Sequence, residues 1–279
     1  MSLPQTEPGV LEQETEFSRA EDQDSGPSPI PAFKVLGVKV NAVQIPDAIA
    51  EIERWIAERS ASHFVAVTGM HGVTEAQHDP YFKQILNSAD LVVADGMPLV
   101  WLGRKNGYPM KRRVYGPELM QTFCRDTGSR YRHFFYGGMP GVPELLAETL
   151  RRDYAITPAG GYSPPFRPLT PEEDEEVVRT INTSGADVLW IGLSTPKQER
   201  WMYEHRSRLR VPVVVGVGAA FDLNTGRLRQ APRWMRESGL EWFFRLVMEP
   251  RRLWRRYIVY GSEFVFSLVS EFFGLRTFE

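Results

Sequence analysis

Cysteine is almost absent from this sequence. The chain of 279 residues contains one, Cys124, so no disulfide can form within it, which suits a reducing compartment. The five histidines are scattered, and none stands with cysteine at the spacing of a zinc site. The sequence therefore excludes a disulfide framework and a zinc finger.

Long hydrophobic runs are missing as well. The most apolar stretch, 257–275, is interrupted by Glu263 and Glu271, so no uncharged segment reaches the length of a membrane-spanning helix. The N-terminus is acidic and rich in proline and serine, and it lacks the basic and apolar regions of a signal peptide. We expect a cytoplasmic protein.

Charge of one sign is not in large excess. The formal net charge is −2, which gives no whole-chain reason to expect nucleic-acid binding. The balance hides an asymmetry, because residues 1–30 hold seven acidic residues against Arg19, whereas residues 227–256 hold nine arginines against three glutamates. An acidic beginning therefore masks a strongly basic C-terminal region.

Three parts of the chain differ in composition and periodicity. Residues 1–32 are charged and rich in glycine, proline and serine, which predicts a disordered acidic leader. Residues 33–226 start with a predicted strand at 33–40 and a predicted helix at 48–59, and they form the expected core. Residues 227–279 are aromatic, rich in arginine and helical in pattern, and we interpret them as a helical appendage.

The core alternates short apolar runs with helical patterns. Five runs are predicted to be buried strands, at 63–68, 91–95, 132–136, 187–193 and 211–217. Such strands alternating with helices predict an α/β fold with a mostly parallel sheet and helices on both faces. Because ligands bind at the carboxyl ends of the strands in these sheets, the residues after each run are candidates for function.

Polar residues and glycines follow three of these runs. Asp95 suits either a general base or the cap of the next helix. Gly137 and Gly138 would let backbone amides approach a phosphate, although glycines also serve tight turns. Lys197 and Gln198 stand at a helix start, where they suit a polar or anionic ligand or simply an exposed first turn.

Paired aspartates that could hold a metal ion are missing from the strand ends. The one Asp-x-Asp pattern joins Asp22 and Asp24 in the leader, and we interpret it as a solvated charge run. We therefore expect a mechanism that needs neither a metal ion nor another cofactor.

Arginines and aromatic residues are interleaved in the appendage. The arginines are Arg245, Arg251, Arg252, Arg255 and Arg256. The last four are spaced by about one helical turn, so several guanidinium groups can gather together. Two partners suit them, a diphosphate and an anionic membrane surface. An amphipathic helix with solvated arginines is the simpler alternative, and nucleic acid fits less well because the rest of the chain is not basic.

Several longer motifs, taken together, resemble the WecG/TagA/CpsF family of bacterial glycosyltransferases, glycosyltransferase family 26. They are 87–96 (NSADLVVADG), 113–116 (RVYG), 161–166 (GYSPPF), 192–199 (GLSTPKQE), 216–222 (GVGAAFD), 239–245 (GLEWFFR) and 249–257 (EPRRLWRRY). The resemblance implies a Rossmann-like core and an inverting, metal-independent transfer of a hexose of the N-acetylmannosamine type. The donor would be a UDP-sugar and the acceptor a polyprenyl-pyrophosphate-linked sugar of cell-surface polysaccharide or teichoic acid synthesis.

The resemblance also implies roles for individual residues. Asp95 would be the general base, with Thr68, Arg113 and Gln198 beside it in the catalytic site. Asp222 would lie in the nucleotide-binding wall, and Arg245, Arg252 and Arg255 of the appendage would reach the donor diphosphate. The enzyme would work at the cytoplasmic face of the membrane as a peripheral protein, and its apolar appendage faces suit either lipid or a second copy in a homo-oligomer.

One position departs from the family pattern. Many relatives have asparagine where this chain has Met70, which cannot offer an amide donor and acceptor. His71 stands next to it and could substitute. A nucleotide-binding module without chemistry, or a peripheral membrane scaffold, would use the same glycines or the same arginines without a base at Asp95.

Overall fold

A computed structural model of the chain describes residues 30–278. Residues 1–29 of the predicted leader lie outside the described residues, and Ala32 already belongs to the first strand. Eight strands form one sheet in the order β1-β2-β4-β3-β8-β7-β5-β6. The strands are β1 (Ala32–Val35), β2 (Val38–Asn41), β3 (His63–Thr68), β4 (Leu91–Ala94), β5 (Arg132–Gly137), β6 (Thr157–Tyr162), β7 (Val188–Gly192) and β8 (Val213–Gly216).

Helices connect the strands and continue after the last one. The helices are α1 (Ile45–Glu58), α2 (Met70–His78), α3 (Pro80–Ser88), α4 (Met97–Lys105), α5 (Gly116–Thr127), α6 (Val142–Tyr154), α7 (Pro171–Thr183), α8 (Lys197–His205), α9 (Ala220–Asn224), α10 (Arg233–Glu237), α11 (Glu241–Met248), α12 (Pro250–Trp254) and α13 (Tyr260–Phe272). A short 3₁₀ turn spans Gly128–Arg130, and a π-helical turn, Arg255–Val259, joins α12 to α13.

The predicted α/β fold is confirmed. Every strand pairing among the described residues is parallel except that of β1 with β2. One apolar cluster packs α1, α5, α6 and α9 against one side of the sheet, and a second cluster packs α2, α3, α4 and α8 against the other. The continuous apolar runs of the inner strands are buried on both faces, as parallel strands require.

The predicted strand at 33–40 is wrong as a single element. The chain reverses at Leu36 and Gly37, which both have positive φ angles of 49° and 76°, and the two halves pair as the antiparallel hairpin of β1 and β2. Apolar residues continue through the turn, so hydrophobic pattern alone did not indicate it.

The edge strand β6 has no counterpart among the predicted strands. Its sequence, Thr-Pro-Ala-Gly-Gly-Tyr, is half-exposed and contains a proline and two glycines, which are depleted in strands. β6 pairs with β5 alone. Because an edge strand needs fewer buried side chains, it does not show the continuous apolar run that identified the inner strands.

The segment after α9 contains helices and no strand among the described residues. Its last helix, α13, packs on α2. Phe264 of α13 is buried in the apolar cluster that α2, α3, α4 and α8 form on one face of the sheet. No helix within residues 30–278 has the length and apolarity needed to cross a membrane.

Candidate active site

The carboxyl ends of β3 and β4 bring Thr68 and Asp95 side by side. Thr68 lies opposite Ala94 in the parallel register, and the Asp95 backbone N–H donates to the Thr68 carbonyl oxygen at 2.8 Å. Thr68 is buried, and its Oγ1 has no hydrogen-bond partner among the described residues. Two residues that the family resemblance names are therefore neighbours, because β3 and β4 are parallel and end at the same edge of the sheet.

Asp95 carries a carboxyl group that is shielded from solvent. Its Oδ1 is buried without a hydrogen-bond partner among the described residues. The next helix, α4, begins after Gly96, and no side chain caps it, so the capping alternative does not hold. Burial raises the pKa of Asp95 to about 7, and the Arg113 guanidinium opposes this rise. A carboxyl group with such a pKa can accept a proton near neutral pH.

Arg113, whose charge influences Asp95, contacts the helices that follow α9. It forms an ion pair with Glu241 and lies over the Tyr115 ring, with its Cζ 4.2 Å from the ring centroid. The Tyr115 hydroxyl donates to Glu241 Oε1 at 2.6 Å. Glu241 is itself buried at the start of α11. A carboxylate from the C-terminal helices therefore holds two residues of the loop that leads into α5.

Two arginines of the C-terminal helices lower the pKa of Asp95. Arg256 and Arg245 both favour its ionised form, after the larger effect of Arg113. Arg256 Nε is buried without a hydrogen-bond partner among the described residues, and burial lowers the pKa of Arg256. Arg252 and Arg255 are exposed instead, and Arg252 pairs with Glu249 at 2.7 Å. The structure thus brings Arg245 to the site together with Arg256, and it places Arg252 and Arg255 at the surface.

The side-chain amide of Gln198, at the start of α8, is hydrogen-bonded at both its oxygen and its nitrogen. Its Oε1 accepts from the Gly218 backbone N–H at 3.0 Å, and its Nε2 donates to Glu199 Oε1 at 2.9 Å. The Thr195 hydroxyl donates to the same Glu199 oxygen at 2.8 Å. Burial raises the pKa of Glu199, whose other oxygen has no partner among the described residues. These contacts fix the orientation of the Gln198 amide.

Met70 turns toward the C-terminal helices. A Cβ added to Gly261 of α13 would lie 3.5 Å from the Met70 methyl carbon, so methionine fills space between α2 and α13 in this chain. Its neighbour His71 stacks on Tyr260, with ring centroids 5.2 Å apart. Burial and the nearby Arg256 lower the pKa of His71 to about 3, so its ring is neutral at physiological pH.

Several buried polar atoms in this region lack partners within the described part of the chain. They are Thr68 Oγ1, His71 Nδ1, Asp95 Oδ1, Glu199 Oε2 and Arg256 Nε. Buried polar groups in folded proteins are nearly always hydrogen-bonded, so each exception needs an explanation. A polar ligand that contacts this end of the sheet would supply the missing partners.

The remaining candidates from the sequence lie outside this cluster. A Cβ on Gly137 would stand 2.7 Å from the Gly192 backbone, and a Cβ on Gly138 would stand 3.0 Å from Val142, so close packing alone accounts for both glycines. Lys197 is exposed at the first position of α8. Asp222 is half-buried on α9 and pairs with Arg227 at 3.3 Å. Their assignment to substrate binding stays a prediction.

Sequence reasoning did not assign a role to Tyr115, Glu199 or Glu241, and it grouped Arg256 with the other arginines of the appendage without choosing it for the active site. Each lies inside one of the motifs quoted above, so the motifs did carry a signal. Periodicity could not single out Arg256, because the π-helical turn adds a residue to the helical repeat at this point. Among residues 30–278, no group of three histidine, cysteine, aspartate or glutamate side chains is placed to hold a metal ion.

Comparison with known proteins agrees with the resemblance in the motifs. The model of the glycosyl transferase WecG/TagA/CpsF family matches residues 33–277. The chain is also 27% identical over 214 residues to the N-acetylglucosaminyldiphosphoundecaprenol N-acetyl-beta-D-mannosaminyltransferase of Bacillus spizizenii, which covers 76% of this chain and 81% of that protein. The family model spans the sheet, the cluster around Asp95 and the C-terminal helices, so the chain is a glycosyltransferase and belongs to the WecG/TagA/CpsF family.

Proposed function

We propose that this enzyme transfers a hexose of the N-acetylmannosamine type from a UDP-sugar to a polyprenyl-pyrophosphate-linked sugar in cell-surface polysaccharide or teichoic acid synthesis. The single observation that carries the proposal is Asp95, whose carboxyl group has one buried oxygen, a pKa of about 7 and three arginines near enough to favour its ionised form. The name of the Bacillus spizizenii relative supports the choice of sugar and of acceptor.

Asp95 acts as the general base in this mechanism. A hydroxyl oxygen of the acceptor sugar attacks the anomeric carbon of the donor while its proton passes to the Asp95 carboxylate. The bond between that carbon and the UDP oxygen breaks, and the electron pair leaves with UDP. Because the displacement is direct and forms no covalent intermediate with the enzyme, the configuration at the anomeric carbon is inverted.

Arginines stabilise the charge that develops on the leaving UDP. Arg245 and Arg256 come from the C-terminal helices and act on the same carboxyl group as Arg113. Fixed cations in a site that excludes water stabilise a growing diphosphate charge without having to reorganise. Glu241 places the loop of Arg113 against α11, so the base and the cations belong to one assembly. This supports a metal-independent transfer.

The polyprenyl chain of the proposed acceptor is held in a membrane, so transfer takes place at the membrane surface. The C-terminal helices expose large apolar side chains and arginines next to one another, which suits peripheral binding to the cytoplasmic face. The exposed apolar residues of this segment are Trp234, Leu240, Trp242, Phe243, Val247, Met248, Trp254, Ile258, Val259, Val265, Phe266, Val269, Phe272, Phe273 and Leu275. The same surface could pack on a second copy, so the predicted homo-oligomer remains an alternative.

A transfer assay with the full chain tests the proposal. Purified enzyme is incubated with a panel of UDP-sugars and a short-chain prenyl-diphosphate-linked N-acetylglucosamine, with EDTA and separately with Mg²⁺, and UDP release and product are measured. We expect transfer from UDP-N-acetylmannosamine that EDTA does not reduce. UDP-sugar binding without transfer would favour the nucleotide-binding module, and transfer that requires Mg²⁺ would make the metal-independent mechanism wrong.

A further inference from the structure

A large basic cleft opens on one side of Arg113. Its volume is about 650 Å³, and it lies between α4, the loop before α5 and the short helix α10. The lining residues are Met97, Arg104, Lys111, Arg112, Arg113, Glu118 and Arg236. Five of them are cations and one is an acid, so the cleft attracts an anion. A smaller cavity of about 280 Å³ beside α7 is lined by three glutamates and would repel one.

The cations of the cleft are only partly neutralised by the protein. Arg104 donates to the carbonyl oxygens of Met110 and Lys111, both at 2.6 Å, and so holds the loop against α4. Arg112 lies 3.6 Å from Glu118. Arg236 Nε is buried and has no hydrogen-bond partner among the described residues, and Lys111 is exposed. A bound anion would give Arg236 the partner that it lacks.

The position of the cleft relative to Asp95 indicates which anion fits. Asp222, which the family resemblance assigns to the nucleotide-binding wall, lies on α9 after β8, beyond β3 in the sheet order. The cleft adjoins α4 after β4 instead. Gln44, which follows β2, exchanges hydrogen bonds of 3.0 Å with the backbone of Arg112. The cleft therefore lies on the β2 side of Asp95, and the proposed nucleotide wall lies on the opposite side.

We propose that this cleft binds the diphosphate of the acceptor, with Lys111 and Arg236 as its main free cations and Arg104 and Arg112 beside them. The proposal deepens the proposed function and rests on it. When an acceptor hydroxyl lies at Asp95, the rest of its sugar ring extends away from the base. The diphosphate attached to that ring then passes Arg113 and enters the cleft. Guanidinium and ammonium groups bind diphosphate oxygens strongly.

Two exposed tryptophans lie on the helices that border the cleft. Trp101 and Arg104 lie one turn apart on α4, and Trp101 is 55% exposed. Trp234 precedes Arg236 on α10 and is 63% exposed. Tryptophan is favoured where apolar chains meet water, because its ring is apolar and its N–H stays wet. The two helices that border the cleft therefore each carry an exposed apolar ring, which suits a prenyl chain that leaves the cleft.

The test compares acceptors with and without a diphosphate. Lys111→Gln and Arg236→Gln remove charge at similar side-chain length, and Arg151→Gln on the distant helix α6 is the matched control. Initial rates are measured with UDP-N-acetylmannosamine and two acceptors, farnesyl-diphosphate-linked N-acetylglucosamine and a neutral farnesyl glycoside of the same sugar. We expect each cleft variant to raise KM for the diphosphate acceptor about tenfold and to leave KM for UDP-N-acetylmannosamine and for the neutral acceptor unchanged.

Three results would overturn the proposal. A higher KM for UDP-N-acetylmannosamine would assign the cleft to the donor diphosphate. An equal rise in KM for both acceptors would mean that the variants do not act on the diphosphate, and unchanged values would mean that the cleft is unused. If the wild-type enzyme transfers no sugar, the proposed function fails by itself. Calorimetric binding of farnesyl diphosphate to wild type and variants then decides whether the cleft binds this diphosphate.

Discussion

At the scale of single residues, Asp95 shows how position changes the chemistry of an ordinary carboxyl group. It follows a wholly buried strand, and one of its oxygens has no partner within the described part of the chain. Burial raises its pKa because the charged form loses hydration, and nearby arginines limit the rise to about 7. Removal of any of these arginines should raise the pKa further.

We expect Asp95→Asn to lower kcat by at least about 100-fold, the usual contribution of a general base. The wild-type kcat/KM should rise with pH and level off above about 7, because the carboxylate is the active form. Steady-state rates from pH 5 to pH 9 measure both effects. If Asp95→Asn kept a near-normal kcat, the assignment of Asp95 as the general base would be wrong.

The same carboxyl group links stability to pH. Its pKa is higher in the folded than in the unfolded state, so the folded wild type should lose stability as pH rises from about 4 to about 7. Asp95→Asn lacks this charge, and we expect its free energy of unfolding to exceed that of wild type more at pH 8 than at pH 5. Urea unfolding at the two pH values measures the difference, and a gain that is larger at pH 5 would contradict it.

At the scale of secondary-structure elements, the start of α11 connects the C-terminal helices to the core. Glu241 is buried and binds both Arg113 and the Tyr115 hydroxyl. Further along, the π-helical turn of residues Arg255–Val259 turns Arg256 inward and leaves Arg255 exposed. Both features bring charged groups of the C-terminal helices close enough to shift the pKa of Asp95, so two segments that are distant in the sequence contribute to one site.

We expect Glu241→Gln to reduce the free energy of unfolding by about 1–3 kcal/mol, since a buried charged hydrogen bond is lost. It should also lower kcat, because Arg113 is released from its place. Glu249→Gln, which removes a surface pair with Arg252, is the control and should change stability by less than about 1 kcal/mol. Urea unfolding and steady-state kinetics distinguish the two variants, and equal effects would contradict the connecting role.

At the scale of the whole molecule, apolar surface is concentrated on the C-terminal helices. Trp254 and Phe266 are exposed there among arginines such as Arg251 and Arg255. Many large apolar side chains exposed on one segment that also carries cations fit an anionic lipid interface. The site and this surface belong to the same helices, so membrane binding would bring the active site close to a lipid-linked acceptor.

We expect Trp254→Ser combined with Phe266→Ser to weaken binding to vesicles that contain anionic lipid by at least about tenfold, because two large apolar side chains no longer enter the interface. Vesicle sedimentation with the full chain measures it. Phe166→Ser removes an exposed ring from the loop before α7 and should leave binding unchanged. If the double variant binds as wild type does, the surface contacts something other than lipid, and a change of oligomeric state would indicate a second copy.

Much of the fold followed from local pattern. The inner strands were predictable because burial on both faces requires continuous apolar runs, as in residues 63–68 and 187–193. Pattern failed where burial is partial or where a turn has no special composition, as in β6 and in the hairpin of β1 and β2. Asp95 and Gln198 were candidates because polar residues follow apolar strands there. Arg113 was a candidate only through the resemblance to the family, because it follows no strand.

The sequence by itself determined the alternation of strands and helices, the family, and which segments carry polar motifs. The tertiary structure alone decided that Glu241 contacts Arg113, that Arg256 rather than Arg252 acts on Asp95, and that a basic cleft opens beside α4. These features depend on contacts between segments more than a hundred residues apart and on one irregular turn. Burial and electrostatic neighbours belong to the folded chain, so no local sequence pattern encodes them.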